Sequence, residues 1–293
     1  MSNIQSPKLI DYIYLITLSA IWGSAFVAIE YSLKDFSPFV IAFGRISLSA
    51  LFLTIFVYIN RLSFPKDIKI WSILLLLGAL NNAIPFFLIP WGQQYISAST
   101  ASVMLAIGPF IALVLSHFIT KDENFTVFKF IGVIFGFIGV FILFGEDFFA
   151  GSQNSLYGKI ALLFAVCGYI LSGFLIRSIS SVPTLVTSSG MFITATIFLI
   201  PFIFILPNNS NGEILSLSFL SIVYLAIIPT ATASLLRIKL VQKIGVQFMS
   251  QVAYLIPIFA IFWSWIIFNQ TPEYILIVAL LFIFSGLFIR NIK

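Results

Sequence analysis

The sequence predicts an all-α, polytopic membrane protein: ten transmembrane helices built as two inverted five-helix repeats. Three observations carry that prediction. Apolar residues fill 60% of the 293 positions, charged residues only 9%, and the mean hydropathy is +1.12. An ordinary soluble domain carries about 25% charge, so lipid has to serve as solvent for much of this surface. The apolar residues also come in continuous runs, whereas a membrane barrel needs alternation with a polar lumen. Finally, the chain resembles itself at offsets between 145 and 148 residues.

The runs divide the chain at polar or charged breaks into spans at 12–30, 38–59, 70–92, 98–119, 126–145, 157–177, 184–206, 216–238, 246–268 and 273–290. Each is near the ~20 residues that a bilayer requires. The breaks at Gln93–Ser97 and Lys243–Gly245 are short, and tight turns are expected there. The first run, Tyr12 to Ile29, is long enough to span and ends in no cleavage-type region, so it is expected to stay as the first helix.

Orientation follows from Lys and Arg. With the N-terminus in the cytoplasm, the inner side holds Lys8, Arg61, Lys66, Lys69, Lys121, Lys129, Arg177, Arg237, Lys239, Lys243, Arg290 and Lys293, twelve of the fifteen basic residues. The outer side holds Lys34 and Lys159, and Arg45 lies within a span. Cytoplasmic loops are enriched in basic residues. One missed helix would flip every later loop, so the asymmetry also checks the count. The expectation is a multi-pass protein of the cell inner (plasma) membrane with both termini cytoplasmic.

The internal matches set the repeat boundary. Gly108-Pro109-Phe110-Ile111-Ala112 aligns with Ile256-Pro257-Ile258-Phe259-Ala260 and Gln94 with Gln242, both at an offset of 148. Ser37-Pro38 aligns with Val182-Pro183 at 145, and Gly139-Val140 with Gly286-Leu287 at 147. The repeats are therefore residues 1–147 and 148–293. Five helices is an odd number, so the second repeat enters the membrane inverted. Inverted repeats are a transporter architecture, with substrate held near the midplane between them.

The motifs in order resemble the drug/metabolite transporter superfamily, in its EamA branch. Trp22-Gly23-Ser24-Ala25-Phe26 opens the first helix and Arg45 lies in the second. Asn81-Asn82-Ala83-Ile84-Pro85-Phe86 continues into Trp91-Gly92-Gln93-Gln94-Tyr95-Ile96 and Ala101-Ser102-Val103. The Pro109 region and the Gly132, Gly136 and Gly139 helix follow, then Tyr254-Leu255-Ile256-Pro257 and the Gly286 helix. The resemblance implies ten helices, both ends inside, a central cavity, and export or exchange of amino acids, other metabolites or organic cations. The family pattern has an acidic residue after each repeat's fourth helix. Glu123 fills it in the first half, and Gln270 stands there in the second.

Substrate-binding candidates are the groups that are costly at mid-depth. A proline inside a helix frees a carbonyl, and in a membrane such irregular backbone lines cavities. Pro85, Pro109, Pro229 and Pro257 fall near the middle of their spans, and the Pro109/Pro257 pair is equivalent in the two halves. Spans three, four, eight and nine are thus expected to form the cavity. Asn81 and Asn82 are amides at the midplane that need partners. Thr230 and Gln251 are weaker candidates, since hydroxyls often bond their own helix. Trp22, Tyr169 and Tyr254 sit away from the interfaces that usually anchor such rings, and are expected to form an aromatic wall or to pack the core. Arg45 lies about 10 Å into its helix and is expected to pair with Glu30 as an outer gate. No acidic residue lies at a span centre, so transport by facilitation or exchange is expected, with any proton coupling through Glu30.

Other classes fit poorly. A membrane enzyme needs clustered His, Asp or Glu at one face, and this chain has one His. Cys167 and His117 have no spaced partners, so no metal, disulfide or cofactor is expected. The expected partners are the lipid bilayer and a small-molecule substrate, with no nucleic acid and no obligatory protein partner. A lipid or lipid-linked flippase and a non-transporting assembly subunit are the alternatives on the same architecture.

Overall fold

Short polar signals start several of the helices. Ser37 Oγ accepts from the Val40 amide at 3.4 Å, with Pro38 in the first helical position. Ser97 Oγ accepts from Thr100 at 3.2 Å, Ser216 Oγ from Phe219 at 3.2 Å, and Asp67 Oδ1 from Lys69 at 2.9 Å. Such caps satisfy amides that have no partner in the first turn.

The computed structural model describes residues 6–119, 127–150, 153–176, 179, 181–206, 212–244, 249 and 252–290. Among them, eight helical spans are long and apolar enough to cross a membrane: Leu9–Ser32, Pro38–Ile59, Ile68–Gln93, Ala98–Leu115, Val127–Gly145, Gln153–Gly173, Thr184–Phe204 and Leu217–Arg237. Two shorter apolar helices, Val252–Phe268 and Tyr274–Ile289, complete ten. Their outer surfaces carry Leu51, Phe141, Phe204, Trp265 and Leu281, large apolar side chains left exposed, as lipid contact demands.

The packing is symmetric under exchange of halves. The second span packs on the seventh, and the fifth on the tenth. The third packs on the sixth as the eighth packs on the first, and the first packs on the ninth as the sixth packs on the fourth. At the first–ninth contact a methyl on Gly23 would come within 2.7 Å of Phe259 Cβ, so only glycine allows this approach. Ten spans leave both termini at one face.

Within this symmetry the backbone departs from α-helix in two equivalent places. Gly78–Ala83 in the third span and Ala226–Thr232 in the eighth form π-helical turns. Each accompanies a proline, Pro85 just beyond the first and Pro229 inside the second. A wider turn relieves the clash of the proline ring with the preceding turn, and such turns concentrate at functional sites. The fourth and ninth spans are less alike than their aligned prolines suggest. The fourth is broken between Ala98–Leu105 and Gly108–Ile119, just ahead of Pro109, whereas Pro257 lies inside the continuous Val252–Phe268 helix.

Two charges that the sequence puts just inside the ends of spans 157–177 and 216–238 lie in helices that extend beyond those ends. Lys159 is buried in Gln153–Ile176 and donates to the Leu143 carbonyl near the end of the fifth span. Arg237 belongs to Ala233–Ile244, two turns before that helix ends.

Candidate functional site

The π turns place polar side chains at half depth, and the second span supplies a cation beside them. Arg45 is 6% exposed. Its Nε donates to Thr230 Oγ1 at 2.5 Å, and its guanidinium lies 3.8 Å from the centroid of the Phe86 ring. Ser49, one turn further along the second span, holds that span to the eighth: its hydroxyl is 2.7 Å from Arg45 O and 2.9 Å from Ala226 O. A charge at a bilayer centre costs roughly 2.5–3.5 kcal/mol on insertion scales. One hydroxyl and one ring face compensate only part of that.

Tyr169, from the sixth span, lies within electrostatic reach of both Arg45 and Arg237. Arg237, the last residue of the Leu217–Arg237 span, is exposed. Ala83 and Ala231, the residues after Asn82 and Thr230, share one buried cluster with Phe86 and Tyr169. The two π turns and the sixth span therefore border the same region.

Asn81 and Asn82 form a short chain of amides. Ser172 donates to Asn81 Oδ1 at 3.0 Å, and Asn81 Nδ2 donates to Asn82 Oδ1 at 3.1 Å. Asn82 is 1% exposed, and its own Nδ2 has no hydrogen-bond partner. Leaving such a donor buried and unpaired costs about 1–3 kcal/mol.

Trp22 has a definite structural task. The Ala233 amide reaches back five residues to Ile228 O, and the indole Nε1 of Trp22 donates to the Pro229 carbonyl at 2.9 Å. Tyr254 faces elsewhere, with its ring 6.2 Å from that of Phe284 in the tenth span. Pro109 and Pro257 lie on helices that pack mainly on the sixth, first and fourth spans. The polar groups thus gather on spans two, three, six and eight, whereas the sequence points to three, four, eight and nine. Gln251 lies outside the described residues, as do Glu123 and Arg177.

The gating pair is corrected by the structure. Glu30 and Arg45 do not meet. Glu30 Oε1 accepts from Gln270 Nε2 at 2.8 Å and Oε2 from the Ala98 amide at 3.3 Å, while Ser264 donates to Gln270 Oε1 at 2.7 Å. The reason is depth. Glu30 lies near the end of the first helix, level with the ends of the ninth and the start of the fourth, and Arg45 points inward to Thr230. The contact of Tyr31 with Phe268, centroids 4.8 Å apart, and Lys34 over both rings lie at the same end. This end is the one away from the termini.

Sequence reasoning missed Arg237, Ser172, Phe86 and Gln270 as participants. Arg237 had a readable signal: it already lies inside the 216–238 span, and nothing between Pro229 and Gly245 breaks the helix. The others carry no signal outside the folded packing. Among the described residues no group of three or more His, Cys, Asp or Glu is placed to hold a metal ion.

Comparison with known proteins agrees with this architecture. The EamA-like transporter family matches the chain twice, over residues 9–145 and 156–292. The uncharacterized transporter YoaV of Bacillus subtilis is 23% identical, with 94% of this chain and 95% of that protein covered. An uncharacterized transporter of Archaeoglobus fulgidus is 30% identical over 75% of this chain and 76% of its own. The WAT1-related chloroplastic protein At3g02690 of Arabidopsis thaliana is 24% identical over 89% of this chain and 64% of its own. One solved crystal structure superposes with a TM-score of 0.69 at 15% identity, covering 96% of this chain and 97% of that one, a likeness of fold.

Proposed function

The chain belongs to the EamA-like transporter family, and on that premise we propose that it exports or exchanges small organic metabolites, amino acids or related solutes among them, across the cell inner membrane. It is a multi-pass membrane transporter by family. The proposed mechanism is alternating access around the half-depth region between the two π turns, with both termini in the cytoplasm. The observation that carries this reading is the pair of equivalent π turns, each with its proline, flanking Arg45, Tyr169, Thr230 and the Asn81–Asn82 amides. Irregular backbone at membrane depth is tolerated where it lines a cavity, and in inverted-repeat transporters such segments form the substrate site.

The Glu30–Gln270 bridge supports a refinement of the gate. It joins the first span to the segment after the ninth, beside the Tyr31–Phe268 ring contact at the face opposite the termini. In the proposed cycle this is the outer gate, closed here, and its opening exposes the site to the outside. Movement is by facilitation or exchange. Strongly proton-driven uptake into proteoliposomes that survives loss of Glu30 contradicts this.

Counterflow in proteoliposomes tests the site. The double variant Asn81→Ala with Asn82→Ala is expected to abolish counterflow while the folded protein elutes unchanged. Full retention of transport removes these amides from the site.

A further inference from the structure

Arg45 and Arg237 reach Tyr169 from two spans, and neither has a carboxylate partner among the described residues. The described carboxylates of Asp11, Glu30, Asp35, Asp67, Glu213 and Glu273 all lie in loops or near helix ends. The environment of Arg45 is otherwise specified in detail. Its Nε is engaged by Thr230 and its plane covers Phe86. Its two terminal nitrogens have no protein partner among the described residues, and they are not among the fully enclosed polar atoms left unpaired. They therefore keep some accessible surface and donors free to take an acceptor. A guanidinium presents its donors in a fixed fork that matches the two oxygens of a carboxylate or phosphate. A membrane-embedded charge is held by a partner or marks a substrate path. Here the fold supplies the cation and leaves the partner out.

We propose that Arg45 forms an oxyanion-binding site with Arg237 and Tyr169 near it, and that the transported solute is a small organic anion or zwitterion recognised through a carboxylate or a phosphate. This rests on the transporter reading above and narrows its substrate class. It disfavours organic cations, because the region around Tyr169 offers two positive groups and no acidic one among the described residues. The second cation sits nearer the terminal face, so the oxyanion can pass from one guanidinium to the other as the halves rock. The Tyr169 hydroxyl can donate to the oxyanion at either position.

The test uses the full chain, purified in detergent and then reconstituted. The probes are three pairs: succinate against succinamide, leucine against leucinamide, and glycerol 3-phosphate against glycerol. At least one acid is expected to raise the melting temperature while its uncharged or cationic counterpart does not. Whether the responding acid is a carboxylate or the phosphate identifies the oxyanion. Arg45→Gln and Arg237→Gln are each expected to raise its half-saturating concentration about tenfold or more, and Arg45→Lys less. Arg237→Gln changes an accessible side chain, so it keeps the test open should Arg45→Gln fail to fold. The assignment falls if no acid stabilises the protein, if the counterparts stabilise it equally, or if both Gln variants bind the acid as the parent does. Counterflow separates this from the transporter reading. Exchange of leucinamide or another non-acid with the acids inert removes only the oxyanion site. No counterflow by any solute of a broad metabolite panel removes transport itself.

Discussion

The third and eighth spans make the same backbone departure with different side chains. Both widen into a π turn at half depth, and in both an amide reaches back five residues: Ile84 to Ala79 O in the third span and Ala233 to Ile228 O in the eighth. The carbonyl passed over is then met by a helix of the other half. In the eighth span it is Pro229 O, taken by the Trp22 indole. In the third it is Leu80 O, met by Gly168, where a methyl would sit only 2.6 Å away. Trp22 and Tyr169 occupy corresponding places in the first helices of their halves, at an offset of 147. One aromatic is thus committed to the backbone. The other is released, because the glycine beside it lets the backbone approach directly, and Tyr169 stays within electrostatic reach of Arg45 and Arg237. Duplication fixed the shape twice, and divergence set a different side chain against the turn in each half.

The largest effect that sharpens this comparison is at the start of the turns. Gly78 aligns with Ala226. A methyl on Gly78 would meet Thr194 Oγ1 at 2.5 Å, Met191 O at 2.6 Å and Ala195 N at 2.9 Å, two of them rigid backbone atoms. Gly78→Ala is expected to cost about 3 kcal/mol and to lower the yield of monodisperse protein sharply. The reciprocal Ala226→Gly replaces a residue already buried without strain, and is expected to cost about 1 kcal/mol. Equal losses from the two variants, measured by thermal unfolding in detergent, break the claim that the halves differ here.

Next in size is the aromatic exchange. Trp22→Phe leaves the Pro229 carbonyl buried without its donor, and is expected to lower stability by about 1–3 kcal/mol. Tyr169→Phe removes only a hydroxyl near two guanidiniums, so stability is expected to hold while counterflow falls severalfold. The reverse pattern, a stability loss at Tyr169 and a transport loss alone at Trp22, exchanges the roles of the two halves.

Much of the fold was legible because its signals are one-dimensional. Apolar run length needs no tertiary knowledge, and the spans found begin and end close to the polar breaks. The site was legible in part. Asn81, Asn82, Thr230, Tyr169 and Arg45 announce themselves as polar or charged residues in apolar runs. Their partners do not. Glu30 and Arg45 are both near one end in sequence, but the bond Glu30 makes is with Gln270, 240 residues away, and only helix packing brings that glutamine there. Trp22 reads equally well as a wall or a brace until the π turn shows a carbonyl in need of a donor. Pro109 and Pro257 align well, yet one follows a helix break and the other does not. A proline frees a hydrogen bond, and its neighbours decide whether the helix opens.

The smallest effect concerns Asn82 and its counterpart Thr230. Thr230 has a partner in Arg45, whereas Asn82 keeps an unpaired buried Nδ2. If that donor serves nothing, replacing it relieves a penalty. Asn82→Thr, which copies the second half into the first, removes the unpaired amide and leaves a hydroxyl to accept from Asn81 Nδ2. Stability is expected to stay level or to rise by about 1 kcal/mol. The half-saturating concentration for counterflow is expected to rise severalfold, since the lost donor would no longer meet the solute. A stability gain with unchanged transport assigns Asn82 to helix packing alone. The third span then contributes shape to the pathway, and recognition rests on the second, sixth and eighth.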